Sequence, residues 1–180
     1  MPRLRSLLVS SSIIAAALAL PRTALAYERQ WHVGLDLNYS AIVVDPPIQG
    51  IGGGLHLAYG INDMFNIVAQ ADAAYHEGGL FAASGAAGVT NQLDVIEIVP
   101  YVGLMVGGYD FYATSAPCGG ADQASCHQVL FGASIPFGLD YTITRSFILG
   151  ASGRYHFLVG PGGIVNMITA GVKAEYVWGY

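Results

Sequence analysis

Eight stretches of this chain alternate apolar and polar residues with a period of two, the signature of β-strands with one apolar and one polar face. The first, Trp31 to Val43, sets Trp31, Val33, Leu35, Leu37, Tyr39, Ala41 and Val43 against His32, Gly34, Asp36, Asn38 and Ser40. Asp45, Pro46 and Pro47 end it, because proline cannot donate to a ladder. The second, Ile51 to Ile61, carries Leu55, Leu57, Tyr59 and Ile61 against Gly54, His56, Ala58 and Gly60, and Asn62 and Asp63 then form a turn. The third, Phe65 to Tyr75, places Asp72 in its polar phase; the fourth, Phe81 to Leu93, opposes Phe81, Ala83, Ala87, Val89 and Leu93 to Ser84, Gly88, Thr90 and Gln92.

The fifth segment, Ile98 to Tyr109, is apolar in both phases, so its facing rests on size. Gly103 and Gly107 suit a narrow interior, which turns Ile98, Val102, Leu104 and Val106 outward. A long loop, Ala113 to Gln128, precedes the sixth segment, Val129 to Tyr141, whose polar phase holds Asp140. The seventh, from Phe147 through Val159, carries Arg154 and His156 inward. After a loop at Gly160 to Gly163, the eighth, Ile168 to Tyr180, ends in Tyr176, Trp178 and Tyr180 on its apolar face and keeps Lys173 and Glu175 on the other. An even number of such segments joined by short turns predicts an all-β fold, an eight-stranded antiparallel up-and-down transmembrane barrel with its short turns in the periplasm.

The aromatic positions fit that orientation. Outward Trp31, Tyr59, Phe65, Tyr141, Phe147 and Trp178 gather at the turn end, and Tyr39, Tyr75, Phe131 and Phe157 at the loop end, as two interfacial girdles would.

Composition sharpens the picture. The chain is 53% hydrophobic and only 11% charged, against about 25% charged in ordinary soluble domains. Arg3 and Arg5, an apolar run from Leu7 to Leu20 and an Ala24-Leu25-Ala26 site read as a signal peptide over residues 1–26, leaving 27–180 as the barrel domain. The run is too short for a membrane-spanning helix. The expected mature part holds four Lys+Arg against twelve Asp+Glu, a net charge of −8, which argues against nucleic acid as a partner.

With the signal, the eight strands and the aromatic C-terminus in place, the chain resembles the small bacterial outer-membrane β-barrels of the OmpA-transmembrane, OmpX and OmpW kind. Tyr176, Trp178 and Tyr180 are similar to their terminal insertion signal, with Tyr in place of the usual final Phe. The resemblance implies residence in the outer membrane, contact with its lipid and lipopolysaccharide, delivery by periplasmic chaperones and the barrel-assembly machinery, a monomer, and no peptidoglycan-binding domain after the barrel.

Candidate chemistry is sparse, and no cofactor or metal is expected. Asp36, Asp72, Asp140, Arg154, His156, Lys173 and Glu175 share the inner phase with His32, His56 and His76, and isolated buried charges are costly, so these are expected to pair into a polar network filling the lumen. An ion or proton path is the rival role. Cys118 and Cys126 in the longest loop read as a disulfide in an exported protein. The alternative, a metal site joining both thiols to His127, lacks a fourth ligand.

Enzymatic activity is not expected. In lipid A deacylases built on this scaffold a His is followed two residues later by Ser, whereas His156 is followed by Phe157 and Leu158. Ser84, Ser134 and Ser152 read as lumen filling, and the glycine runs at Gly52–Gly54 and Gly160–Gly163 precede no helix. The expected role is therefore structural, surface-interacting or weakly permeable. The alternatives are a lipid A-modifying enzyme and a soluble lipocalin-like binding barrel with its phases inverted.

Overall fold

The computed structural model describes residues 29–93, 97–113 and 127–179. The expected signal segment, Cys118, Cys126 and Tyr180 lie outside these. Eight strands run in chain order: β1 Trp31–Ile42, β2 Ile48–Gly60, β3 Phe65–His76, β4 Leu80–Gln92, β5 Ile98–Ala113, β6 His127–Thr144, β7 Phe147–Gly160 and β8 Gly163–Trp178. Each pairs antiparallel with its neighbours, and β1 closes on β8. Closure satisfies the edges that an open sheet would present to lipid, where no water can pair them.

The alternation seen in the sequence is the alternation of the wall. On β1 every second residue from His32 is buried, while Leu35 and Leu37 are 64% and 67% exposed. This rules out the inverted lipocalin-like arrangement, in which Val33, Leu35 and Leu37 would line a cavity. β5 adopts the facing that its glycines favour, with Val102, Leu104 and Val106 outward.

Strand ends depart from the sequence pattern. β2 starts three residues early, at Ile48, and β5 runs four residues past Tyr109, to Ala113. β8 starts at Gly163, five residues before Ile168, and its last residue is Trp178. The expected Gly160–Gly163 loop is a hairpin in which Gly160 pairs with Gly163 around Pro161 and Gly162. Alternation alone missed Ile164–Met167, because Ile164 and Val165 are both apolar.

Turn chemistry is local. At the β2–β3 turn the Asn62 side-chain carbonyl accepts from the backbone N–H of Met64 and of Phe65, at 2.9 and 2.8 Å. Pro136 has no N–H, and the β5–β6 register pairs lapse beside it between Val102–Phe137 and Met105–Ser134.

Following paired residues once round the barrel, from His32 through Ala58, Val68, Gly88, Met105, Ser134, His156 and Met167, returns to β1 at Ile42, ten residues further on. A shift of ten residues across eight strands corresponds to a strand tilt of about 40°. On β7, Phe147 and Phe157 are ten residues apart, a rise of about 25 Å at that tilt, which matches the apolar band of an outer-membrane barrel. At the turn end Trp31 sits in register between Tyr59 and Trp178, with its ring centroid 4.7 Å from that of Tyr59.

Leu37 lies near the middle of that band. Leu37→Arg is expected to cost about 2–4 kcal/mol, read as a lower denaturant midpoint for the refolded protein in lipid vesicles, and Asn38→Ser on the inner face is expected to cost much less.

Candidate functional site

Inward side chains form three layers along the axis. Val99, Ile148 and Val177 pack together at the turn end. Charged and polar groups fill the middle. At the loop end Ile42, Ala82, Tyr109, Phe111, Leu130, Leu158 and Met167 form an apolar layer. Phe111 lies on the part of β5 that runs past its expected end.

The middle layer is one connected network. The Arg154 guanidinium of β7 donates to both oxygens of Asp72 on β3, from Nη1 at 2.8 Å and Nη2 at 3.2 Å, a two-pronged pair across the lumen. Gln70 Nε2 donates to Asp72 Oδ1 at 3.0 Å and reaches Asp36 Oδ2 at 3.5 Å. Asp36 Oδ2 lies 2.7 Å from His56 Nδ1, and His56 Nε2 is 3.1 Å from Glu175 Oε1. Glu175 also meets His32 Nδ1 at 3.1 Å and the Lys173 ammonium. Lys173 Nζ donates to Asp140 Oδ2 at 3.0 Å and lies 4.3 Å from the centre of the Tyr101 ring, within cation–π range.

Some of these contacts join strands that are not neighbours. Lys173 on β8 reaches Asp140 on β6, and the β7 residue between them in register is Gly150. A Cβ there would collide with Asp140 Oδ1 and crowd Lys173 Cε. His56 on β2 approaches Glu175 on β8 across Gly34 of β1, where a Cβ would strike the imidazole. Gly54 stands between Asp36 and Asp72, and Gly50 between Ser40 and His76.

All seven residues singled out in the inner phase face the lumen, and six of them belong to this network. His156 stands apart: its Nδ1 is 2.9 Å from Tyr109 Oη and its Nε2 3.3 Å from Thr169 Oγ1. Arg154 pairs with Asp72 on the opposite wall, whereas the adjacency of the seventh, eighth and first strands in a closed barrel leads one to expect it with Lys173, Glu175 and Asp36. Gln70 and Tyr101 also join the network. Gln70 was visible as an inward polar residue, but nothing in the pattern marked Tyr101.

Two further pairs were not apparent from spacing. Ser40 Oγ is 3.0 Å from His76 Nε2, with Ser40 1% and His76 0% exposed. Asp110 and His127 meet at 3.2 Å on the exposed loop end, where His127 stacks on Tyr112 at 4.5 Å. His127 therefore has an acidic partner of its own, whereas the cysteines expected beside it lie outside the described residues. Two small cavities of about 50 and 20 Å³ remain in the lumen, and Arg154 lines both.

A closed eight-stranded antiparallel barrel with an apolar outer wall is a transmembrane β-barrel of the outer-membrane type. The solved structures agree. The chain is similar to Neisserial surface protein A, at 15% identity and a TM-score of 0.68, covering 81% of this chain and 96% of that one. It is similar to the N-terminal barrel domain of Pseudomonas aeruginosa OprF, at 14% identity and a TM-score of 0.59, covering 84% and 98%. It is also similar to Ail, the attachment invasion locus protein of Yersinia pestis, at 15% identity and a TM-score of 0.58, covering 84% and 99%. No protein-family model matches the chain, and no characterised protein matches it by sequence. At these identities the likeness is one of fold.

Breaking one member of a buried pair costs more than removing both. Arg154→Met is expected to lower unfolding free energy by about 3–5 kcal/mol by stranding Asp72, and the double variant Asp72→Leu/Arg154→Met is expected to recover most of that loss in the same denaturant titration.

Proposed function

We propose that this chain is an integral outer-membrane protein whose barrel is a closed anchor, with a structural or surface-interacting role carried by its loop end and at most minor permeability. The observation that carries this is a side-chain bridge across the lumen: Arg154 and Asp72 meet midway, an apolar layer lies at the loop end, and Arg154 borders two small cavities of about 50 and 20 Å³. A pore needs a continuous water path, and eight strands leave an interior that side chains can fill.

The lipid-facing wall takes outer-membrane lipid and lipopolysaccharide as its surroundings, with the two aromatic sets at the interfaces. The terminal aromatics suit delivery by periplasmic chaperones and the barrel-assembly machinery. At the loop end, residues 43–50, 77–79, 113–128 and 160–163 contain Asp45, Glu77 and Asp122 and no Lys or Arg. A surface partner there is therefore met by neutral or acidic groups, which disfavours polyanions.

The enzymatic alternative finds little support. The Ser40–His76 pair is enclosed, and the ring's other neighbour is the Leu80 backbone, so no acid orients it. His156 points into the lumen, away from lipid substrate.

Refolded protein in a planar bilayer is expected to give no sustained current, and lipid A mass spectra from cells with and without the gene are expected to coincide. A steady ohmic conductance would sink the closed-anchor reading, and a gene-dependent lipid A mass shift would restore the enzyme.

A further inference from the structure

The larger lumen cavity has in its lining residues of the charged network, among them Asp36, Lys173 and Glu175, and the polar Asn66, Thr90 and Gln92. The first group is bonded within the charged network, and the second contains unmet polar atoms. Asn66 is 1% exposed, and both its Nδ2 and its Oδ1 lack partners; Gln92 is 7% exposed, and its Oε1 lacks one. Three unpaired polar atoms beside a cavity contradict the rule that buried donors and acceptors are satisfied.

The donor and acceptor pattern identifies the occupant. A cation accepts lone pairs and cannot accept a hydrogen bond, so it would leave the Asn66 NH₂ unmet. An anion would face the Asp36 and Glu175 carboxylates, and the Arg154 and Lys173 charges that also line the cavity are already paired with Asp72, Asp140 and Glu175. The occupant must both donate and accept, and this holds whichever way the Asn66 amide is turned, because the amide presents one donor group and one acceptor in either orientation. Water does both, and about 50 Å³ has room for about three or four water molecules.

We propose that this cavity is a built site for an internal water cluster that hydrogen-bonds Asn66 and Gln92 to the charged wall of β1, β2 and β8. The waters extend the network from Asp36, His56 and Glu175 to β4 and to the turn end of β3. At the loop end Leu130, Leu158 and Phe111 present no polar group to continue it. The cluster is thus part of the lumen packing and does not form a route through the barrel.

Oxygen-17 water relaxation dispersion on the refolded barrel in detergent micelles tests this directly. The wild-type protein is expected to show long-lived internal water. Asn66→Leu/Gln92→Leu, checked for folding by faster migration of the unboiled band, is expected to lose that signal, and Gln92→Leu alone serves if the double variant does not fold. A folded wild-type barrel with no long-lived water overturns the proposal, as does a signal that persists in a folded variant. A wild-type signal that disappears when sodium chloride replaces choline chloride also overturns it, because the occupant is then a cation.

Discussion

A side chain in a narrow barrel meets the residue level with it two strands away only where the strand between them presents nothing at that level. This steric condition governs the interior of the protein. Gly150 lets Lys173 reach Asp140, and Gly34 lets His56 reach Glu175; at each crossing a methyl group would occupy the space of the contact itself. The glycines of the inner phase therefore do more than fit a tight lumen. They convert a ring of neighbouring pairs into a mesh that ties alternate strands together.

The mesh also explains how a membrane protein tolerates four lumenal carboxylates, Asp36, Asp72, Asp140 and Glu175. Each has at least one cationic or N–H donor within about hydrogen-bonding distance, and Glu175 gathers His32, His56 and Lys173. Buried pairs of this kind add little net stability over an apolar core of the same shape, yet losing one partner is costly. Their effect is to fix which strands face which, while the outward Leu, Val, Ile and Phe residues hold the wall in lipid.

The period-two pattern carried most of the architecture. All eight strands and their facings follow from it, including β5, where Gly103 and Gly107 decided between two apolar phases. It was weakest where alternation stops being informative. Ile164 and Val165 are both apolar and hid the start of β8, and Asp110 to Ala113 continue β5 beyond Tyr109. The inward charges were visible as a set, but their partners were not. Arg154 finds Asp72 because closure with a ten-residue shift brings β3 opposite β7, and that shift is a property of the whole barrel that no single strand encodes. The Ser40–His76 contact was hidden for the same reason, since it depends on Gly50 lying between them in register.

The seam between β1 and β8 carries a further consequence. Lys173 and Glu175 belong to β8, while His32, His56 and Asp140, which they satisfy, lie on strands synthesised before it. A sheet lacking β8 holds Asp140 without its ammonium and His32 without its carboxylate, so joining the two edges and neutralising the interior are the same event. Such coupling makes closure all-or-none and gives a built-in check on completeness: a truncated chain is left with uncompensated interior charge, which sets it apart electrostatically from a finished barrel.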